Sequence, residues 1–195
     1  MTSNSRNYLE FFRIIGQSKR LFRTGWVREK IKNPESIADH SFRVGIMAMI
    51  LSDKLDYKID QSKLIKMTLL HDLAEAITGD IVAERYGIVD IRKREEKEKK
   101  ERKEIKKIFD KVGRGEEYLE IFNEMIDGYT DEAKVFKQIN KLEMALQAFE
   151  YEKEQGGDLE EFFVDTFLHL KEPVLKEIFM LMVKSRGKKI KYESI

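Results

Sequence analysis

Leu69-Leu70-His71-Asp72-Leu73-Ala74-Glu75-Ala76-Ile77-Thr78-Gly79-Asp80 sets a histidine and an aspartate side by side in an apolar run with helical spacing. On a helix, His71 and Glu75 stand four residues apart and Asp72 and Glu75 three apart, so an imidazole and two carboxylates converge on one patch. Burying adjacent His and Asp without a cation costs several kcal/mol. The stretch therefore reads as part of a metal site with a proton carrier beside it.

The helical period continues outward in both directions. A helix is predicted over residues 61–78, with Leu64, Met67, Leu70, His71 and Ala74 inward and Gly79 as a left-handed residue past its end, so that Asp80 lies just beyond. Upstream, Ser36 and Asp39 have the spacing of a capping box, and a helix over 36–55 follows with His40, Val44, Met47 and Leu51 on its buried stripe. A first helix is expected over 8–19, with Leu9, Phe12 and Ile15 inward, then a loop through Gly25, Trp26 and Pro34. Downstream, 91–112 carries the mixed-charge run Arg92 to Arg102, helical by its Glu/Lys spacing and read as a solvated face. Helices over 116–127 (Tyr118, Phe122 and Met125 inward), 131–155, 159–170 and 173–186 complete the chain, with Pro173 in a first helical turn and Gly187 at its end. Phe136, Asn140, Met144 and Gln147 share one face of the long helix over 131–155. The tail over 188–195 is expected to fray or to pack on a partner subunit. Alternating strand patterns are scarce, so the expected architecture is all-α, a single-domain helical bundle over 1–195 with its core at about 8–186.

Composition narrows the function classes. With 37 Lys plus Arg against 36 Asp plus Glu in 195 residues, the net charge is +1, too small a field to draw the protein onto nucleic acid or anionic lipid. In the charged run, acids cancel bases and no aromatics interleave, so no nucleic-acid partner is expected. The chain has no Cys, which removes disulfides, thiolate catalysis and Cys-ligated metal. No apolar stretch approaches the roughly 20 residues that cross a bilayer, and residues 1–6 lack a signal-peptide core. The reading is a cytoplasmic protein with no membrane partner.

His40, His71, Asp72, Glu75, Asp80 and Asn140 are the inward polar groups that helix packing could bring together. Two imidazoles and a carboxylate favour Mn, Co, Fe, Ni or Zn over hydrated Mg. His169, with no partner motif, reads as an ordinary core histidine. Trp26 alone would be packing and Arg23 alone a surface charge.

Four ordered blocks nonetheless resemble the HD-domain metal-dependent phosphohydrolases, and more closely their 5′-deoxyribonucleotidase branch. They are Arg23-Thr24-Gly25-Trp26; Asn33-Pro34-Glu35-Ser36-Ile37-Ala38-Asp39-His40-Ser41; His71-Asp72-Leu73-Ala74-Glu75 with Thr78-Gly79-Asp80-Ile81; and Lys137 to Met144 with Gln147-Ala148 and Glu150-Tyr151-Glu152. The resemblance implies an all-α HD fold, a divalent transition metal, hydrolysis of deoxyribonucleoside 5′-monophosphates to nucleoside and phosphate, and commonly a homodimer. It places metal ligands at His40, His71, Asp72 and the position of Asn140. Glu75 and Asp80 become the catalytic carboxylates, and Arg23, Trp26 and Asp80 the groups that meet substrate, the tryptophan limiting room at the sugar 2′ position.

Two departures stand out. Where the family has a fourth aspartate ligand, this chain has Asn140, whose neutral amide oxygen coordinates more weakly. Some relatives carry Arg immediately before the tryptophan. Here that position is Gly25, which leaves Arg23 as the nearest arginine and Arg28 as a substitute. The rival reading is a metal- or nucleotide-binding regulatory module whose catalysis is weakened by Asn140. A purely structural role for the charged helix uses neither histidine and ranks last.

Overall fold

A computed structural model describes residues 3–82 and 84–191. In chain order its helices are α1 (Ser3–Ile15), α2 (Thr24–Arg28), α3 (Ile37–Leu51), α4 (Gln61–Leu70), α5 (Glu75–Thr78), α6 (Ile91–Asp110), α7 (Gly115–Asp127), α8 (Asp131–Gln155), α9 (Glu160–His169) and α10 (Pro173–Arg186). A two-stranded hairpin, β1 (Glu84–Arg85) and β2 (Ile88–Val89), lies between α5 and α6. The architecture is all-α around one core. Helix α8 is its axis, packing against α3, α4, α7, α9 and α10 and burying Ile139, Leu142, Ala145 and Ala148. Its predicted ends hold because Thr130 caps its first turn and Gly156 its last.

The capping chemistry read at Ser36 forms as expected. The Ser36 side chain accepts from the Asp39 N–H while the Asp39 carboxylate accepts from the Ser36 N–H at 2.9 Å. That box fixes the start of α3 and drops His40 into its first buried turn. Backbone bonds from Arg23 N–H to the Glu35 carbonyl and from Ile37 N–H to the Leu21 carbonyl pin the preceding segment alongside. The expected loop through Gly25 and Trp26 is instead the short helix α2.

The expected continuous helix over 61–78 breaks at the motif itself. α4 ends at Leu70, and the backbone then tightens to bonds three residues apart: Leu73 to Leu70, Glu75 to Asp72, Ala76 to Leu73 and Ile77 to Ala74. The cause is local. His71 Nδ1 donates to the Thr68 carbonyl at 2.8 Å, the oxygen that would receive the Asp72 N–H in a continuing α-helix. The four-residue spacing assumed for His71 and Glu75 is therefore not kept. Gly79 takes positive φ as expected, but with an extended ψ rather than a left-handed helical one.

The expected face of α1 is a second correction. Leu9 and Phe12 point to solvent, and Phe11 is the buried residue, its ring 5.2 Å from that of Phe109. Apolar residues at 8, 9, 11, 12, 14 and 15 nearly encircle this helix, so period alone cannot select its inner side. The hairpin carried no strand expectation. Tyr86 and Gly87 both take positive φ in its two-residue turn. A Cβ on Gly87 would also collide with the Leu168 side chain. Of the C-terminal tail, residues 192–195 lie outside the described residues, while Lys188 and Lys191 fold back to bond the Gly157 carbonyl and the Glu160 carboxylate.

Candidate metal centre

Three segments meet at the centre of the bundle. His40 comes from the first turn of α3, His71 and Asp72 from the tightened turn after α4, and Asn140 from mid-α8. One ligand atom each from His40, His71 and Asp72 lies within 4.8 Å of the other two. His40 Nε2 is 3.9 Å and His71 Nε2 3.1 Å from Asp72 Oδ2, and Asn140 Oδ1 is 2.8 Å from His40 Nε2. A first-row ion holds N and O ligands at about 2.0–2.2 Å, hence within about 4.4 Å of each other, so the cluster reaches a common ion with small adjustment.

The donor chemistry fits a cation. Each imidazole commits Nδ1 elsewhere, His71 to the Thr68 carbonyl and His40 to Glu143 Oε2 at 2.5 Å. With Nδ1–H so used, each Nε2 can turn a lone pair to a cation, His40 once the Asn140 amide at 2.8 Å gives way to that ion. His71 Nε2 is buried and makes no hydrogen bond. Beside it stand the Asp72 carboxylate and the Asn140 amide oxygen, both acceptors. Four electron-rich atoms facing one another in a dry site call for a positive centre. Arg23 supplies the nearest one, its guanidinium donating to Asp72 Oδ2. Burial opposes ionisation of Asp72, but its contacts with the His71 ring and the Arg23 guanidinium outweigh it and hold the carboxyl well below its ordinary value.

A cavity of about 180 Å³ opens onto this cluster, lined among others by Arg23, Trp26, Asp72, Asp80, Lys97 and Asn140. Trp26 is 1% exposed; its ring lies 4.1 Å from that of Phe162, and its Nε1–H donates to Glu35 at 2.7 Å. Burial, then the charge of Glu143, pushes the Glu35 carboxyl up to about 7. Asp80 accepts the Thr24 N–H at 2.6 Å on Oδ2 and the Thr24 hydroxyl on its carbonyl, so it fastens the Arg23–Trp26 segment to the end of α5. Arg28 also lines the cavity but is held by both oxygens of Glu161 at 2.8 Å. His169 stands apart at the hairpin, bonded to the Asp165 carbonyl.

Glu75 is buried at the start of α5. Its Oε1 accepts from Lys97 at 2.8 Å, while Oε2 has no hydrogen-bond partner. Burial, then the Asp72 charge, raises its carboxyl well above the ordinary range against the pull of Lys97. Lys97 and Glu101 come from the charged helix α6, so that helix is more than a solvated face. Nothing in its sequence distinguishes Lys97 from neighbouring lysines. Glu143, by contrast, lies three residues after Asn140, and that spacing alone puts it on the same face.

Known proteins are similar to this chain in sequence and fold. The HD domain family profile matches residues 15–182. The 5′-deoxynucleotidase HDDC2 of Dictyostelium discoideum is 37% identical over 192 residues, covering 92% of this chain and 98% of that protein. The 5′-deoxynucleotidase HDDC2 of Homo sapiens is 33% identical over 178 residues, covering 89% and 83%. The crystal structure of the PH0347 protein from Pyrococcus horikoshii OT3 superposes with a TM-score of 0.71 at 33% identity, covering 92% of this chain and 98% of that one. With the profile spanning most of the sequence and the relatives matched along nearly their whole length, the chain belongs to the HD domain family.

Proposed function

We propose that this protein is a metal-dependent phosphomonoester hydrolase that converts deoxyribonucleoside 5′-monophosphates to nucleoside and phosphate. The observation that carries the reading is the cluster of His40, His71 and Asp72, with His71 Nε2 buried and unpartnered, beside a cavity that Asp72 and Asn140 line together with Arg23 and Lys97. The names of the HDDC2 relatives supply the substrate class. His40, His71, Asp72 and Asn140 would hold the ion, one of Mn, Co, Zn, Fe or Ni. When bound, such an ion supplies Lewis acidity toward phosphoryl oxygens and toward a water. The rest falls to the chain itself. Arg23 neutralises phosphate charge from its seat on Asp72, and Glu75, with its raised carboxyl and buried, unpartnered Oε2, holds and moves the proton. Asp80 keeps the Arg23–Trp26 segment in place and presents its carboxylate to the sugar, while Trp26 forms the wall at the 2′ position.

The protein is further proposed to work in the cytoplasm as a homodimer. Among the described residues no helix is long and apolar enough to cross a membrane. Phe42, Ile46, Met49 and Ile50 form an exposed apolar stripe along α3, a face suited to a second copy of the chain. Sedimentation velocity checks this, with Phe42→Glu expected to give the monomer.

Asn140 favours a second reading, a nucleotide-binding module with weakened turnover, because a neutral amide offsets no cation charge. One experiment separates the two: elemental analysis of protein purified without chelator, then phosphate release from dAMP, dGMP and TMP with Co²⁺ or Mn²⁺. Release supports the hydrolase. Nucleotide-dependent thermal stabilisation of metal-loaded protein without release overturns it in favour of the module.

A further inference from the structure

We infer that Glu143, held by Arg43, is a positioning residue that fixes His40 in the Nδ1–H tautomer and so aims its Nε2 lone pair into the metal site. The inference rests on the metal-site reading above. His40 and Glu143 are both fully buried, and Glu143 Oε2 lies 2.5 Å from His40 Nδ1. A carboxylate in a dry site is an acceptor, so the proton between them sits on Nδ1, and Nε2, 2.8 Å from the Asn140 side-chain amide, is left to ligate once that amide turns its oxygen to the ion.

Glu143 is in turn immobilised. Its Oε1 accepts from Arg43 Nε at 2.8 Å, and the same guanidinium reaches Gln147 Oε1 at 2.5 Å and Glu150 Oε2 at 2.7 Å. The pairing follows from helical repeat. Residues 140, 143, 147 and 150 share one face of α8, and residues 40 and 43 share one face of α3. His40 thus meets Asn140 and Glu143, while one turn along Arg43 spans Glu143, Gln147 and Glu150. This assigns work to Gln147 and Glu150, which the proposed hydrolysis leaves without any. A planar five-donor fork can hold three acceptors at fixed angles, and a lysine cannot. Without that clamp the carboxylate could swing off Nδ1, and the buried ring would be free to turn or to exchange tautomers.

The test reads the tautomer in metal-free protein at mildly alkaline pH, by long-range ¹H–¹⁵N correlation. The chain has only three histidines, so the spectrum is assignable by single substitutions. Wild-type His40 is expected as Nδ1–H. In Glu143→Gln the amide can donate to Nδ1, and the ring is expected to shift to Nε2–H, with Co²⁺ affinity weakened by about 10–100-fold while the His71 and His169 signals stay in place. Arg43→Lys should weaken Co²⁺ less than Arg43→Met does. Wild-type His40 found as Nε2–H overturns the inference without any variant. So does a Glu143→Gln protein with unchanged tautomer and Co²⁺ affinity. A wild type that binds no divalent ion sinks the metal-site reading instead, and the tautomer measurement still decides the role of Glu143.

Discussion

Lys97 Nζ stands 2.8 Å from Glu75 Oε1, joining the charged helix α6 to the short helix that follows the His-Asp turn. The lysine is the only hydrogen-bond partner recorded for that carboxylate among the described residues, since Oε2 has none. Removing one member of a buried ion pair leaves the other uncompensated. Lys97→Met should therefore lower unfolding free energy by about 1–3 kcal/mol and cut phosphate release by on the order of 10²-fold. Urea melts and initial rates check both. Normal rates with lowered stability would make the pair structural only.

Glu75 itself is the sharper test of the chemistry. Glu75→Gln keeps volume and an acceptor for Lys97 but cannot exchange a proton, so turnover should fall by about 10²–10⁴-fold with metal content unchanged by elemental analysis. Activity near wild type would remove Glu75 from proton transfer.

One turn along α6, Glu101 gives a pH signature. Burial, against the charge of Lys97, pushes its carboxyl up to about 7 from an ordinary 4.5. The native state therefore binds the proton more tightly than the unfolded chain does. That contribution is fully present below about pH 4.5 and is lost as pH rises through about 7. Metal-free wild type should lose about 1–3 kcal/mol of stability between pH 5 and pH 8 through this group. Glu101→Gln should flatten that slope, and urea unfolding of both proteins at the two pH values measures it. An equal slope in the variant would place the proton uptake elsewhere.

What could be read from sequence divides along the range of the interactions involved. Ser36, Asp39 and His40 were legible because a capping box and its first buried turn are settled within five residues. The ends of α10 were legible for the same reason, through Pro173 and Gly187. The break after Leu70 was hidden because a side chain, the His71 ring, takes the Thr68 carbonyl, and helical period is blind to that competition. Lys97 was hidden because its partner lies 22 residues away and its neighbours have the same composition. His40, His71, Asp72 and Asn140 could be gathered as candidates, but only the packing of α3 and α4 on α8 puts their atoms within reach of one another.

Asn140 stands where the family resemblance implies an aspartate. Its Oδ1 lies 2.8 Å from His40 Nε2, where an additional ligand to a shared ion would sit. Asn140→Asp is isosteric and adds one negative charge, so Co²⁺ or Mn²⁺ should bind about 10-fold more tightly, with phosphate release rising at subsaturating metal. Isothermal titration and rates at graded metal concentration test this. No change in either would show that position 140 does not ligate.

If Trp26 walls the sugar 2′ position, as proposed, its rigidity sets the selectivity. The indole is clamped on one face by Phe162, at its edge by Tyr151 5.3 Å away, and through Nε1 by Glu35. A wall fixed on three sides cannot retreat from an added hydroxyl, and the cost of that intrusion is what would separate ribo- from deoxyribonucleotides. Trp26→Phe keeps an aromatic core but shortens the wall and drops the bond to Glu35. The ratio of kcat/KM for AMP to that for dAMP should then rise by about 10-fold, the scale of one small steric difference in a pocket. The fold should survive, since the phenyl ring still packs on Phe162. If both nucleotides lose activity in equal proportion, the indole is core packing and the discrimination lies elsewhere in the cavity. A ratio that moves while dAMP turnover holds would locate the 2′ position of the sugar against this ring.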